Sequence, residues 1–158
     1  MAAPEYSHTQ RGPIGWVLFA FALAVALGGV LGAMPMGVRV LLFLLSGLFF
    51  ILGTCFQTLT VRSTPTSLHV AFGPFSVFET SIRYADIQSV ERTRSDLWDG
   101  IGIHYLFGRG WIWNLWGRDC LRLTLKGGVI RVGTDDAENL LQHVQLRMEL
   151  PAQPTGRA

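Results

Sequence analysis

From Pro13 to Phe56 the chain runs almost without polar interruption: 44 residues carry one charged side chain, Arg39. As a single helix this stretch would be about 66 Å long, roughly twice the hydrocarbon thickness of a bilayer. Two spans joined by a tight reversal use the same residues without leaving half of them in water. Ala33-Met34-Pro35-Met36-Gly37 supplies the reversal, because proline and glycine disfavour a continuous helix. The pattern predicts membrane helices near 14–33 and 38–57. A cleaved leader fits less well, since its apolar core runs about 7–15 residues and here a second apolar run follows at once. A buried soluble hairpin would need more chain downstream than is present to cover both helices.

After Gln57 the period changes to two. Leu59 and Val61, then Leu68, Val70 and Phe72, then Phe75 and Val77 mark alternating runs, with Thr64-Pro65-Thr66 and Gly73-Pro74 as turns between them. Further strands are predicted over 81–84 and 87–94, followed by a segment rich in glycine and tryptophan over 98–117. Leu121, Leu123 and Leu125 alternate with Arg122, Thr124 and Lys126; Gly127-Gly128 turns the chain, and Ile130 and Val132 return. The period then becomes 3.6. Ala137, Leu140, Leu141, Val144 and Met148 form one stripe, which predicts an amphipathic helix over 135–149, opened by Asp135 with Glu138 three residues on and closed by Pro151. Residues 1–12 and 150–158 are expected to be disordered. The fold class is thus a membrane α-helical hairpin followed, over 58–149, by a mainly-β, partly open barrel or sandwich with one C-terminal helix.

Charge changes this picture little. Only 15% of the 158 residues are charged, and thirteen basic against eleven acidic residues leave +2. Between 58 and 150 the counts are equal, ten of each. A nucleic-acid partner, which needs a strongly basic face, is not expected. Neither span has an ionisable residue at its middle, which argues against a pump or a proton relay. Arg11 and Arg62 flank the spans on one side and Arg39 lies at the reversal, so the positive-inside rule places both termini and the β domain in the cytoplasm. Cys55 and Cys120 then read as unpaired thiols in a reducing compartment.

The order of elements resembles the bacterial pleckstrin-homology-like membrane proteins, in which two spans are followed at once by a domain of this kind. The resemblance is carried by Arg83-Tyr84-Ala85-Asp86-Ile87-Gln88-Ser89-Val90 and by 110–144, including Gly110-Trp111, Asn114, Gly117 and the hairpin from Leu121 to Asp136. It implies a PH-like fold and location in the bacterial inner membrane. The chain departs from the pattern at Ile101 and His104, where members often carry Trp and Arg. Lipid-binding pleckstrin domains also use a basic loop between their first two strands. That loop is here Ser63-Thr64-Pro65-Thr66-Ser67, with Arg62 alone beside it, so phosphoinositide binding is not expected.

Three sets of residues are candidates for contact. Ala20, Ala24, Gly28 and Gly32 recur every four residues on the first helix, the small-residue pattern that lets helix backbones approach in a membrane. The ladder can face the chain's own second helix, a second copy or another subunit. Trp98, Trp111, Trp113 and Trp116 fall within nineteen residues and read as sandwich core, as a belt at headgroup depth, or as a partner patch. Arg92 with Arg94 on one strand, and Arg122 with Arg131 across the Gly-Gly hairpin, are candidates for an anionic lipid or acidic partner.

His8, His69, His104 and His143 have no second ligand at metal spacing, and Gly100-Ile101-Gly102 is not a dinucleotide fingerprint. No catalytic residue, metal or cofactor is assigned. The expected function is a non-catalytic membrane protein presenting an interaction or scaffolding domain. The partners are the lipid bilayer and either another protein or a second copy. An accessory subunit held by helix packing is the alternative, and an unrecognised enzyme the third reading.

Overall fold

The computed structural model describes residues 5–95 and 101–149. It opens with a strand that the pattern did not announce: β1, Ser7–Arg11, where residues 1–12 were expected to lack structure. The helical hairpin follows as α1, Ile14–Leu31, and α2, Met36–Cys55. Both helices are long and apolar enough to cross a membrane, with mean hydropathies of 2.4 and 2.2. Pro35 stands immediately before α2, and the Arg39 guanidinium reaches back to donate to the Gly32 carbonyl at 3.1 Å. The lone charge of the hairpin thus adds a second donor to a carbonyl just past α1 that the Met34 amide also reaches, at 2.9 Å.

Strands β2, Thr58–Ser63, β3, Ser67–Phe72, and β4, Phe78–Arg83, complete a four-stranded antiparallel sheet in the order β1-β2-β3-β4. β1 pairs with β2 from Ser7↔Arg62 to Arg11↔Thr58. The two strands that flank the helical hairpin in sequence are thus neighbours in one sheet. The Gly12 amide donates to the Gln57 carbonyl at 3.2 Å and closes the neck between helices and sheet. β1 was missed because Ser-His-Thr-Gln-Arg offers no apolar alternation; its polar Gln10 is the buried residue, with Nε2 donating to the Trp116 carbonyl at 2.6 Å.

A 3-10 turn, Tyr84–Asp86, leads into β5, Ile87–Arg94. β6, Gly102–Leu106, β7, Gly110–Asn114, β8, Asp119–Leu125, and β9, Gly128–Gly133, make the second sheet, in the order β5-β8-β9-β7-β6. Its pairings are antiparallel except β7 with β9, which run parallel.

Helix α3, Ala137–Glu149, starts later than the capping reading over 135–149 placed it. Asp136, not Asp135, precedes its first residue; the Asp136 amide donates to Thr134 Oγ1 at 3.0 Å, and Asn139 Nδ2 donates to Asp136 Oδ1 at 2.6 Å. Asp135 turns away to His8 instead.

Leu59, Val61, Leu68, Val70 and Phe72 of the first sheet share one core with Trp113, Leu121, Leu123, Ile130 and Val132 of the second and with Leu140 and Val144 of α3. The Phe72 and Trp113 rings, 5.9 Å apart, join the sheets.

Candidate functional site

The small-residue ladder does not face the second helix. Ala20, Ala24 and Gly28 are exposed, and a side chain added at Gly28 would meet nothing within 4 Å. The α1–α2 contact uses Gly15, Ala22 and Gly29 instead. A Cβ on Gly15 would stand 2.8 Å from the Gly53 carbonyl, and one on Gly53 would stand 2.6 Å from the Phe19 ring. Ser46 Oγ donates to the Ala22 carbonyl at 2.8 Å between these close points. Gly32 is half-buried beside Met34 at the reversal.

The tryptophans divide. Trp113 is 9% exposed and lies under Phe72 in the core. Trp111, two residues earlier on the same strand face, is 50% exposed. Trp116 is 47% exposed beside Gly12, just before α1 begins. Trp98 lies outside the described residues. Sequence reasoning missed two companions of Trp111. Tyr105 stacks edge-on against it with ring centroids 5.7 Å apart, and Phe107, 97% exposed at the β6–β7 turn, touches Tyr105 at 6.2 Å. The signal was present in Phe107-Gly108-Arg109, a glycine turn flanked by aromatic residues.

The arginines do not form one patch. Arg122 does face Arg131 across the β8–β9 hairpin. Arg92, however, pairs with Leu121 and Arg122 pairs with Glu91, so the two arginine pairs occupy opposite faces of the sheet. Arg92 and Arg94 both reach Asp119, at 3.3 and 3.5 Å, and Arg122 reaches Glu91 at 3.2 Å. These three guanidiniums are matched locally by acids of the same sheet.

A polar cluster that no local pattern announces joins the start of β1 to β2 and α3. Tyr6 donates to Asp136 at 3.1 Å, and His8 Nε2 lies 2.5 Å from Asp135 Oδ1. The Tyr6 ring lies 5.4 Å from that of His143. His143 Nε2 contacts Ser63 Oγ at 2.7 Å, and Tyr84 donates to the same oxygen at 2.9 Å. Burial, then the nearby charge of Arg147, lowers the His143 pKa below its usual value. His143 and Tyr84 thus converge on the Ser63 hydroxyl, which itself reaches the Thr64 carbonyl at 3.3 Å. Burial, then the charge of Asp136, raises the Tyr6 hydroxyl pKa far above the usual phenol range; burial also raises that of Tyr84. A serine–histidine contact is the start of a nucleophile–base pair. Here the serine oxygen is held by Tyr84, and the contacts bind three elements together.

The outer face of the first sheet has a shallow polar hollow of about 400 Å³, lined by Thr58, Thr60, Arg62, His69 and Glu79 among others. Among the described residues no three His, Cys, Asp or Glu side chains converge as a metal-holding group. Cys55 and Cys120 are both buried, on α2 and β8. A scan against models of protein families matches none of them to this chain, and a search of curated proteins likewise gives no match.

Proposed function

We propose that the chain is an inner-membrane protein whose two helices cross the bilayer and hold a pleckstrin-like β domain against the cytoplasmic surface as a non-catalytic docking module. The observation that carries this reading is the pairing of β1 with β2 on either side of the hairpin. Both ends of the membrane segment enter the same sheet, so the domain is held at a fixed place at the membrane rather than on a flexible tether. The docking surface is the β6–β7 hairpin. Among the described residues β6 is the last strand of its sheet, and Tyr105, Phe107 and Trp111 stand exposed on the hairpin. Aromatic residues of this kind anchor protein interfaces.

Crosslinking and capture from native membranes tests this. Phe107→Ser with Trp111→Ser is expected to abolish capture of the partner and to lower the unfolding temperature only slightly, since Phe107 is exposed and Trp111 half-exposed. Unchanged capture by the double variant contradicts the reading.

A second reading, an accessory subunit assembled through α1, is favoured by the outward-facing Ala20-Ala24-Gly28 ladder. Gly28→Leu separates the two: loss of the complex with an intact domain supports the subunit reading, and an unchanged complex contradicts it.

A further inference from the structure

Phe75 and Val77 do not continue a strand, as their alternation predicted. They stand in the turn 73–77 between β3 and β4, 75% and 62% exposed, with Phe78 following at 37%. The depth of this turn is set by its contact with α2. The Gly73 amide donates to the Thr58 carbonyl at 2.8 Å, and a Cβ on Gly73 would stand 2.7 Å from the Cys55 carbonyl and 3.0 Å from that of Thr54. Gly73, at φ +69°, adopts a backbone that favours glycine and lets the turn lie directly on the helix end. The Phe78 ring packs at 5.9 Å from that of Phe56, the residue after α2. A 20-residue helix such as α2 is about 30 Å long and fills the hydrocarbon layer. Its last turn therefore lies at the hydrocarbon boundary, and the turn 73–77 lies beside it. Trp116, beside Gly12, occupies the corresponding place before α1.

We propose that the turn 73–77 dips into the lipid headgroup layer, with Phe75 and Val77 as the inserted side chains, and fixes the tilt of the β domain on the bilayer. The inference rests on the reading of α1 and α2 as membrane spans. The occupant is lipid because the apolar tip follows a glycine seated on the end of α2, and Ile51 and Phe50 of that helix are exposed one turn away. Trp116 is a second anchor of the type that favours the membrane interface. No charged residue lies between Phe56 and Arg62 or between Gly73 and Phe78, and the charges that flank the turn, Arg62 and Glu79, line the polar hollow beside Gly73, Pro74 and Ser76, at the level the headgroups would occupy.

The test is spin-label accessibility in phospholipid nanodiscs containing the full chain. Labels are placed through Ser76→Cys in the turn, Thr66→Cys at the opposite end of β3, and Leu44→Cys midway along α2. The unsubstituted chain, whose Cys55 and Cys120 are buried, serves as the blank. The ratio of oxygen to nickel-chelate collision rates is expected to be several-fold higher at 76 than at 66, and highest at 44. Equal ratios at 76 and 66 with a high ratio at 44 overturn the proposal while leaving the spans in place. A low ratio at 44 overturns the spans and the proposal with them. Val77→Cys gives the same readout if Ser76→Cys, at φ +49°, fails to fold.

Discussion

Asp136 combines three tasks in one side chain. It stands where α3 begins, accepts from Asn139, and accepts from Tyr6 across the junction with the N-terminal strand. Hydrogen bonds of this kind contribute about 0.5–1.5 kcal/mol each, and alanine removes both. Asp136→Ala is expected to lie near the upper end, read by chemical unfolding in detergent micelles; a loss below the lower figure contradicts the assignment. The pH dependence of stability follows from the same cluster. His143 takes up a proton less readily folded than unfolded, so its contribution is complete above the unfolded value of about 6.5 and is lost as the pH falls below it. Tyr6 and Tyr84 hold their protons more tightly when folded. Their contribution is complete below about 10 and is lost as the pH rises toward their folded values. Unfolding temperature against pH should therefore be flat from near 7 to near 9 and fall on both sides. His143→Gln should flatten the acid side and Tyr6→Phe the alkaline side; a variant curve parallel to the parent on its own side contradicts the assignment.

The tryptophans show how far adjacent positions can differ. Trp113→Ala removes a ring from the centre of the core and is expected to cost about 3–5 kcal/mol. Trp116→Ala, at a half-exposed site, is expected to cost less than half as much, so equal losses would place both rings in the core.

The helical hairpin is held by close approach rather than by its most regular pattern. A leucine at Gly53 must displace the Phe19 ring, and overpacking of this kind costs about 1–3 kcal/mol. Gly53→Leu should loosen the hairpin in a reversible unfolding assay, whereas Gly28→Leu should leave hairpin stability within error. Equal effects would mean that both faces of α1 are packed within one chain.

These elements also mark what the sequence could reveal. The two long apolar helices and the β8–β9 hairpin follow from hydrophobic pattern alone, because the helices are apolar all round and the hairpin buries one face. β1 was invisible because its buried residue is Gln10 and its stability comes from pairing with a strand 50 residues away. Gly15, Ala22 and Gly29 were passed over because their spacing of seven is less conspicuous than the four-residue ladder beside it. The polar cluster brings residues 6, 63, 84, 136 and 143 together, a convergence no local pattern encodes. Phe75 and Val77 mimicked a strand because an apolar turn and a short alternating run share the same composition, although Gly73-Pro74 just before them signalled the turn.

Taken whole, the chain is a helical hairpin closed into a β domain at both of its ends, with core residues drawn from two sheets and α3. In the proposed orientation the neck at Gly12, Gln57 and Gly73 meets the bilayer, the reversal near Pro35 lies on the far side, and the β6–β7 aromatic hairpin awaits its partner in the cytoplasm. Sidedness tests this most directly, because it depends on both spans, on their direction and on the domain lying on one side only. The measurement is labelling of Ala33→Cys and Thr66→Cys by a membrane-impermeant maleimide, in spheroplasts and in inverted inner-membrane vesicles. The account predicts that Ala33→Cys reacts only in spheroplasts and Thr66→Cys only in inverted vesicles; reaction of both positions from the same side would contradict it.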